Sequence, residues 1–170
     1  QKAIRSLEQD RVALTLDREA PADELRRLLA VPTPARLFAI GDAYRAGFST
    51  REIHELTRID PWFLENMREI VAFEDDVRAA ALTDPAVLRK AKQMGFADLR
   101  IAALASTTEP AIRALRTAHG IVATFKTVDT CAAEFVAHTP YLYSTYEEED
   151  EAPPSDRPKV VILGSGPNSI

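Results

Sequence analysis

The stretch that decides the fold runs Asp60-Pro61-Trp62-Phe63-Leu64-Glu65-Asn66-Met67-Arg68-Glu69-Ile70-Val71-Ala72-Phe73-Glu74-Asp75-Asp76-Val77. Proline suits the first position of a helix, because its missing N–H would lack a partner there anyway. Asp60, just ahead of it, can accept from the free amides of the first turn and complements the helix dipole. Phe63, Met67, Ile70, Val71 and Val77 approximate one apolar stripe, with Trp62 beside it. Glu65, Arg68, Glu69 and Asp75 fall mostly on the other side. The pattern predicts an amphipathic helix docked on a core.

The same punctuation repeats outward. Thr33-Pro34, Asp84-Pro85 and, with a weaker cap, Glu109-Pro110 mark further helix starts. Gly47, Gly95 and Gly120 sit where helices should stop, at left-handed caps. Leu37, Phe38, Ile40, Ala43 and Tyr44 repeat the apolar spacing, as do Leu99, Ala102 and Ala103, then Ile112 and Leu115. The expected fold is mostly α, a compact array of short helices from Pro21 to about Val122. Gln1 to Glu8 reads as a short helical end, and residues 9–20 read as a connection.

After Gly120 the character changes. Ile121 to Val128 is rich in β-branched and aromatic residues and reads as extended. Cys131 to Phe135 reads as one or two helical turns capped by Asp129 or Thr130. Tyr141 to Tyr146 is again extended. The block Glu147 to Glu151 is entirely acidic and leads into Pro153 and Pro154, which predicts a solvated, extended linker. The last residues, Lys159 to Ile170, place an apolar run before Gly164-Ser165-Gly166-Pro167-Asn168. They read as the first strand and loop of a following α/β domain, which needs neighbouring strands and a crossover helix. The chain therefore reads as a piece of a longer protein, with the catalytic parts elsewhere.

Composition narrows the function. The 170 residues, 46% of them hydrophobic, suffice for a real core. A net charge of −5 argues against general nucleic-acid binding. No apolar run approaches the roughly 20 residues needed to span a bilayer. Cys131 is the only cysteine, so no internal disulfide can form, which suits a cytoplasmic location.

Four constellations invite a chemical reading. Ser49 to Leu64 has the outline of a helix-turn-helix, which makes a DNA-binding regulator the alternative function. Its second helix opens on Asp60-Pro61-Trp62-Phe63, however, and between residues 49 and 70 three arginines face five acidic side chains. That surface is wrong for phosphate. His54, His119 and His138 are scattered, and no zinc-ligand spacing occurs. Asp129-Thr130-Cys131 could be drawn as a nucleophile, but no base lies near it in sequence. Gly164-Ser165-Gly166 lacks the third glycine of the dinucleotide fingerprint, since Ser169 stands there. No catalytic or metal-binding residue is assigned.

Three blocks together resemble the centre of the large subunit of carbamoyl-phosphate synthase. The first is Gly47 to Val71, carrying Asp60, Trp62 and Phe63. The second is Phe125 to Phe135, carrying Asp129, Thr130, Cys131 and Glu134, followed by Tyr143-Ser144-Thr145-Tyr146. The third is Lys159 to Asn168, where Ser169 replaces the family's arginine. The resemblance implies a helical oligomerisation domain over residues 10–150, between two ATP-grasp halves. Residues 1–9 would end the carboxyphosphate half, 151–158 would link, and 159–170 would begin the carbamoyl-phosphate half. It implies no cofactor in this segment, and ATP with magnesium or manganese in the parent ligase. It further implies a glutaminase small subunit, self-association into a homo-oligomer, and a product feeding pyrimidine and arginine synthesis.

Overall fold

A computed structural model describes residues 1–5, 11–16, 18–138, 141–152 and 154–161, with side chains omitted at Lys2 and Ala3. Eight helices occur among them: α1 (Lys2–Arg5), α2 (Ala22–Ala30), α3 (Arg36–Arg45), α4 (Thr50–Thr57), α5 (Pro61–Ala80), α6 (Pro85–Gln93), α7 (Asp98–Leu104) and α8 (Glu109–Ala118). Two strands follow, β1 (Thr124–Thr127) and β2 (Leu142–Thr145). The chain divides into two units, Gln1–His119 and Gly120–Ile170. The mostly α expectation holds.

Local chemistry sets the helix ends. Asp60 Oδ1 accepts from the Trp62 amide at 2.8 Å, and Asp84 Oδ1 from Ala86 at 2.8 Å, each with proline at the start of its helix. Ser49 and Glu52 form a reciprocal capping box on α4. Gly47 closes α3 at φ 88°, with the Phe48 amide reaching back to Ala43 O at 2.9 Å and Gly47 N–H to Tyr44 O. That is a Schellman stop, a conformation that L side chains adopt only with strain.

Two expected starts are displaced. α3 begins at Arg36, because Pro34 and Ala35 form a turn ahead of it. Thr108, rather than Glu109, caps α8, since its hydroxyl accepts from Ala111 N–H.

α5 is about 30 Å long at the standard rise and organises the helical unit. It touches α3, α4, α6 and α7. Leu64 meets a core of Leu25, Leu29, Ala39, Ile40, Ala43, Phe48 and Ile53, with Met67 packed against it. Farther along, Val77 is buried, as are Leu88 and Ala91 of α6, Ile101 of α7 and Ile112 of α8. Leu64, Glu74 and Val77 are the buried residues of α5, but Leu64 lies about 80° and 140° round the helix from the other two, so the buried face turns along its length. Phe63 is in line with Glu74 and Val77 to within about 40°, yet it is exposed, because at the start of α5 the core lies on Leu64's side, about 100° round. Leu99 is likewise exposed while Asp98, Ile101 and Ala102 face inward.

The second unit holds the hairpin. β1 and β2 pair antiparallel, with Thr124 opposite Thr145, Phe125 opposite Ser144, Lys126 opposite Tyr143 and Thr127 opposite Leu142. The Cys131–Phe135 segment is a turn instead of a helix. Ala132 and Ala133 take φ of 51° and 60°, a left-handed pair that right-handed helix cannot continue. The acidic block is solvent-exposed, as expected, but its backbone is no free tether: Glu151 N–H donates to Phe125 O at 2.8 Å. The expected final strand and its glycine loop lie outside the described residues from Ile162 on, and Lys159 to Val161 have no regular structure.

Candidate functional site

The first motif surfaces at the start of α5. Asp60 and Pro61 fix the helix entry, and Asn66 Nδ2 donates to Trp62 O at 2.7 Å. Trp62 and Phe63 lie on the outside, edge to face, with ring centroids 5.0 Å apart at 89°. They are 66% and 58% exposed. An aromatic pair open to water is the kind of anchor that interfaces use.

The second motif lies in the hairpin unit. Asp129 accepts from two amides, Cys131 N–H at 2.8 Å and Ala133 N–H at 2.7 Å. Its carboxylate therefore shapes a turn, and Cys131 Sγ lies 3.9 Å from the Thr130 hydroxyl. Glu134 N–H closes the turn on Cys131 O. Tyr143, Ser144 and Thr145 lie in β2, with Tyr146 directly after. Gly164, Gly166, Pro167 and Asn168 fall outside the described residues.

Two buried charge clusters escaped the sequence reading. Glu74, 2% exposed, receives Arg45 Nε and Nη2 at 3.0 and 2.7 Å, Arg100 Nη2 at 2.7 Å and Arg78 Nη2 at 3.3 Å. Arg45 also donates to Asp42 at 2.8 Å and to Leu14 O at 2.6 Å. Asp42 in turn accepts from Thr15 Oγ1 and Leu16 N–H, so the extended segment ahead of α2 is pinned to α3. The second cluster joins Asp98 to Lys92 at 2.6 Å and to Arg116 at 2.8 Å, with Lys92 also donating to Phe96 O. The available signal was position: Glu74 lies four residues after Ile70 and three before Val77, on the apolar stripe of the sequence.

Burial alone pushes both carboxyls up. For Glu74 the hydrogen bonds from Arg45 and Arg100 outweigh it, and for Asp98 those from Lys92 and Arg116 do, so both are held below the usual carboxylate range. Carboxylates fixed in this way tie helices together and are not poised to exchange protons. Two clefts flank the first cluster. One, of about 600 Å³, is lined by Thr15, Arg18, Asp42 and Arg45; the other, of about 470 Å³, by Tyr44, Arg68, Glu74 and Arg78. The charged side chains named here are each ion-paired. His54 Nδ1 lies 2.7 Å from Ile59 O, while His119 and His138 are exposed. Among the described residues, no group of three or more His, Cys, Asp and Glu side chains is placed to hold a metal ion. None of the described helices is long and apolar enough to cross a membrane.

Comparison with known proteins places the whole chain in a family. The model of the family described as carbamoyl-phosphate synthetase large chain, oligomerisation domain, matches residues 1–120. The chain belongs to that family. It is 49% identical over 176 residues to the carbamoyl phosphate synthase large chain of Synechocystis, covering all of this chain and 16% of that one. The large chains of Archaeoglobus fulgidus, 45% identical over 179 residues, and Xylella fastidiosa, 49% over 177, also match all of it. This chain spans 16–17% of the length of these large-chain relatives. The matched residues, 1–120, include all eight helices.

Proposed function

We propose that this chain is the non-catalytic oligomerisation and linking segment of the large chain of a glutamine-dependent carbamoyl-phosphate synthase. In that reading the whole ligase makes carbamoyl phosphate from bicarbonate, glutamine-derived ammonia and two ATP, with magnesium or manganese, in the cytoplasm. Its product feeds pyrimidine and arginine synthesis. Residues 10–150 form the oligomerisation domain, 1–9 and 159–170 belong to the ATP-grasp halves on either side, and 151–158 link. A glutaminase subunit and further copies of the large chain are the partners. Trp62, Phe63 and Asp60 form a surface offered to that assembly.

The observation that carries this reading is the match of residues 1–120 to the oligomerisation-domain family, within whole-chain similarity to large chains. The geometry supports it: the buried carboxylates serve helix packing, and the aromatic pair faces outward. The test compares bicarbonate-dependent ATP hydrolysis by the 170-residue chain and by the large chain carrying it. The reading expects turnover only in the second, and turnover by the 170 residues alone contradicts it.

A further inference from the structure

The acidic run Glu147 to Glu151 does something that its composition conceals. Four sets of contacts bind it along β1. Glu147 N–H and O exchange hydrogen bonds with the Thr124 hydroxyl, at 3.2 and 3.3 Å. Lys126 Nζ lies 3.2 Å from a carboxylate oxygen of both Glu149 and Glu151. Thr127 N–H donates to Glu151 Oε2 at 2.7 Å, and Glu151 N–H donates to Phe125 O at 2.8 Å.

The register shows where these bonds fall. Val128 N–H donates to Tyr141 O at 2.9 Å, so the backbone groups of residues 124, 126 and 128 face β2. Those of Phe125 and Thr127 face the other way, onto the outer edge. Glu151 meets a carbonyl there with its amide and an amide there with its carboxylate. One residue thus supplies both kinds of bond that a third strand would offer. Lys126 neutralises the two carboxylates and holds them in line. An open edge on a short sheet is a template for pairing with another chain. Beyond Glu151, the Ala152 amide is taken by Asp150 Oδ1 at 2.8 Å, which turns the backbone in a set direction.

We propose that residues 147–151 are a charge-fastened strap. It stands in for a third strand, closes the outer edge of β1 against pairing with another chain, and fixes the path by which the chain leaves the hairpin. Its use rests on the reading of the chain as an assembly segment: assembly is then confined to surfaces other than β1. The strap itself is a property of these residues alone.

Amide hydrogen exchange on the 170-residue chain tests it. In Glu151→Ala the Thr127 amide loses its acceptor and should exchange about tenfold faster, the scale of one hydrogen bond to a charged group. The Val128 amide, bonded to Tyr141, should keep its rate. Raising salt on the unmodified chain should speed Thr127 in the same selective way, which guards against a variant that merely misfolds. Sedimentation of Glu151→Ala should show more self-association than the unmodified chain at equal concentration. Equal Thr127 exchange in chain and variant, or no response to salt, overturns the strap. Faster Thr127 exchange without added self-association overturns its role as an edge guard. Either failure leaves the proposed function intact, since ATP turnover and assembly of the large chain test that separately.

Discussion

Arg45 grips Glu74 through two parallel hydrogen bonds, Nε to Oε2 at 3.0 Å and Nη2 to Oε1 at 2.7 Å, and so ties α3 to α5. Arg100 brings α7 to the same carboxylate. Removing one side of a buried ion pair leaves the other charged and desolvated, at a cost of about 3 kcal/mol or more. Glu74→Ala should therefore lower the urea midpoint substantially. An exposed neighbour, Asp75→Ala, should change it little.

The same carboxylate sets an acid limit. Its folded pKa is depressed below the ordinary 4.5, and that of Asp98 below 3.8. A depressed carboxyl contributes stability that is fully present above its unfolded pKa and lost as pH falls through the folded value. Urea midpoints should thus hold near neutrality and fall below about pH 4.5. In Glu74→Gln the starting stability should be lower and this acid limb shallower. An acid limb of unchanged steepness in that variant would contradict the assignment.

Two glycines should respond for different reasons. A methyl at Gly41, inside α3, would sit 2.1 Å from Leu14 O and 2.9 Å from Leu14 Cβ, so the segment pinned by Asp42 must move. Gly41→Ala should cost about 1–3 kcal/mol, the range for overpacking. At Gly47 the space is open but φ is 88°, so Gly47→Ala should cost about 1 kcal/mol in backbone strain alone. Denaturant titration of the two variants separates clash from strain.

The helices were legible because their ends carry side chains with one clear physical use. Asp60-Pro61, Asp84-Pro85, Gly47 and Gly95 each appear where the chain turns. The stop of α7 was not legible: Ser106 takes φ of 53°, held by Thr107 N–H bonding to Ala102 O, and serine does not announce that conformation. Phe63 misled for a related reason. Periodicity placed it inside, in line with Val77, but at that end of α5 the core lies on Leu64's side and Phe63 faces water. Glu74, Asp98 and the strap escaped because a charged residue looks solvated until its partners arrive from distant segments, 24 to 29 residues away in the case of Thr127–Glu151 and Arg45–Glu74.

Trp62 is the only tryptophan, which makes it a reporter for the proposed surface. Its emission in the 170-residue chain should match a water-exposed indole and be readily quenched by acrylamide. It should shift to the blue and become protected under conditions where the chain associates. An indole already shielded in the dilute chain would contradict the exposed aromatic pair.

Sedimentation velocity of the complete large chain, across concentration and effector conditions, tests the assembly role most directly. The account predicts concentration-dependent self-association, weakened when Trp62 and Phe63 are both replaced by serine while ATP hydrolysis persists. A strictly monomeric profile under every condition would contradict it.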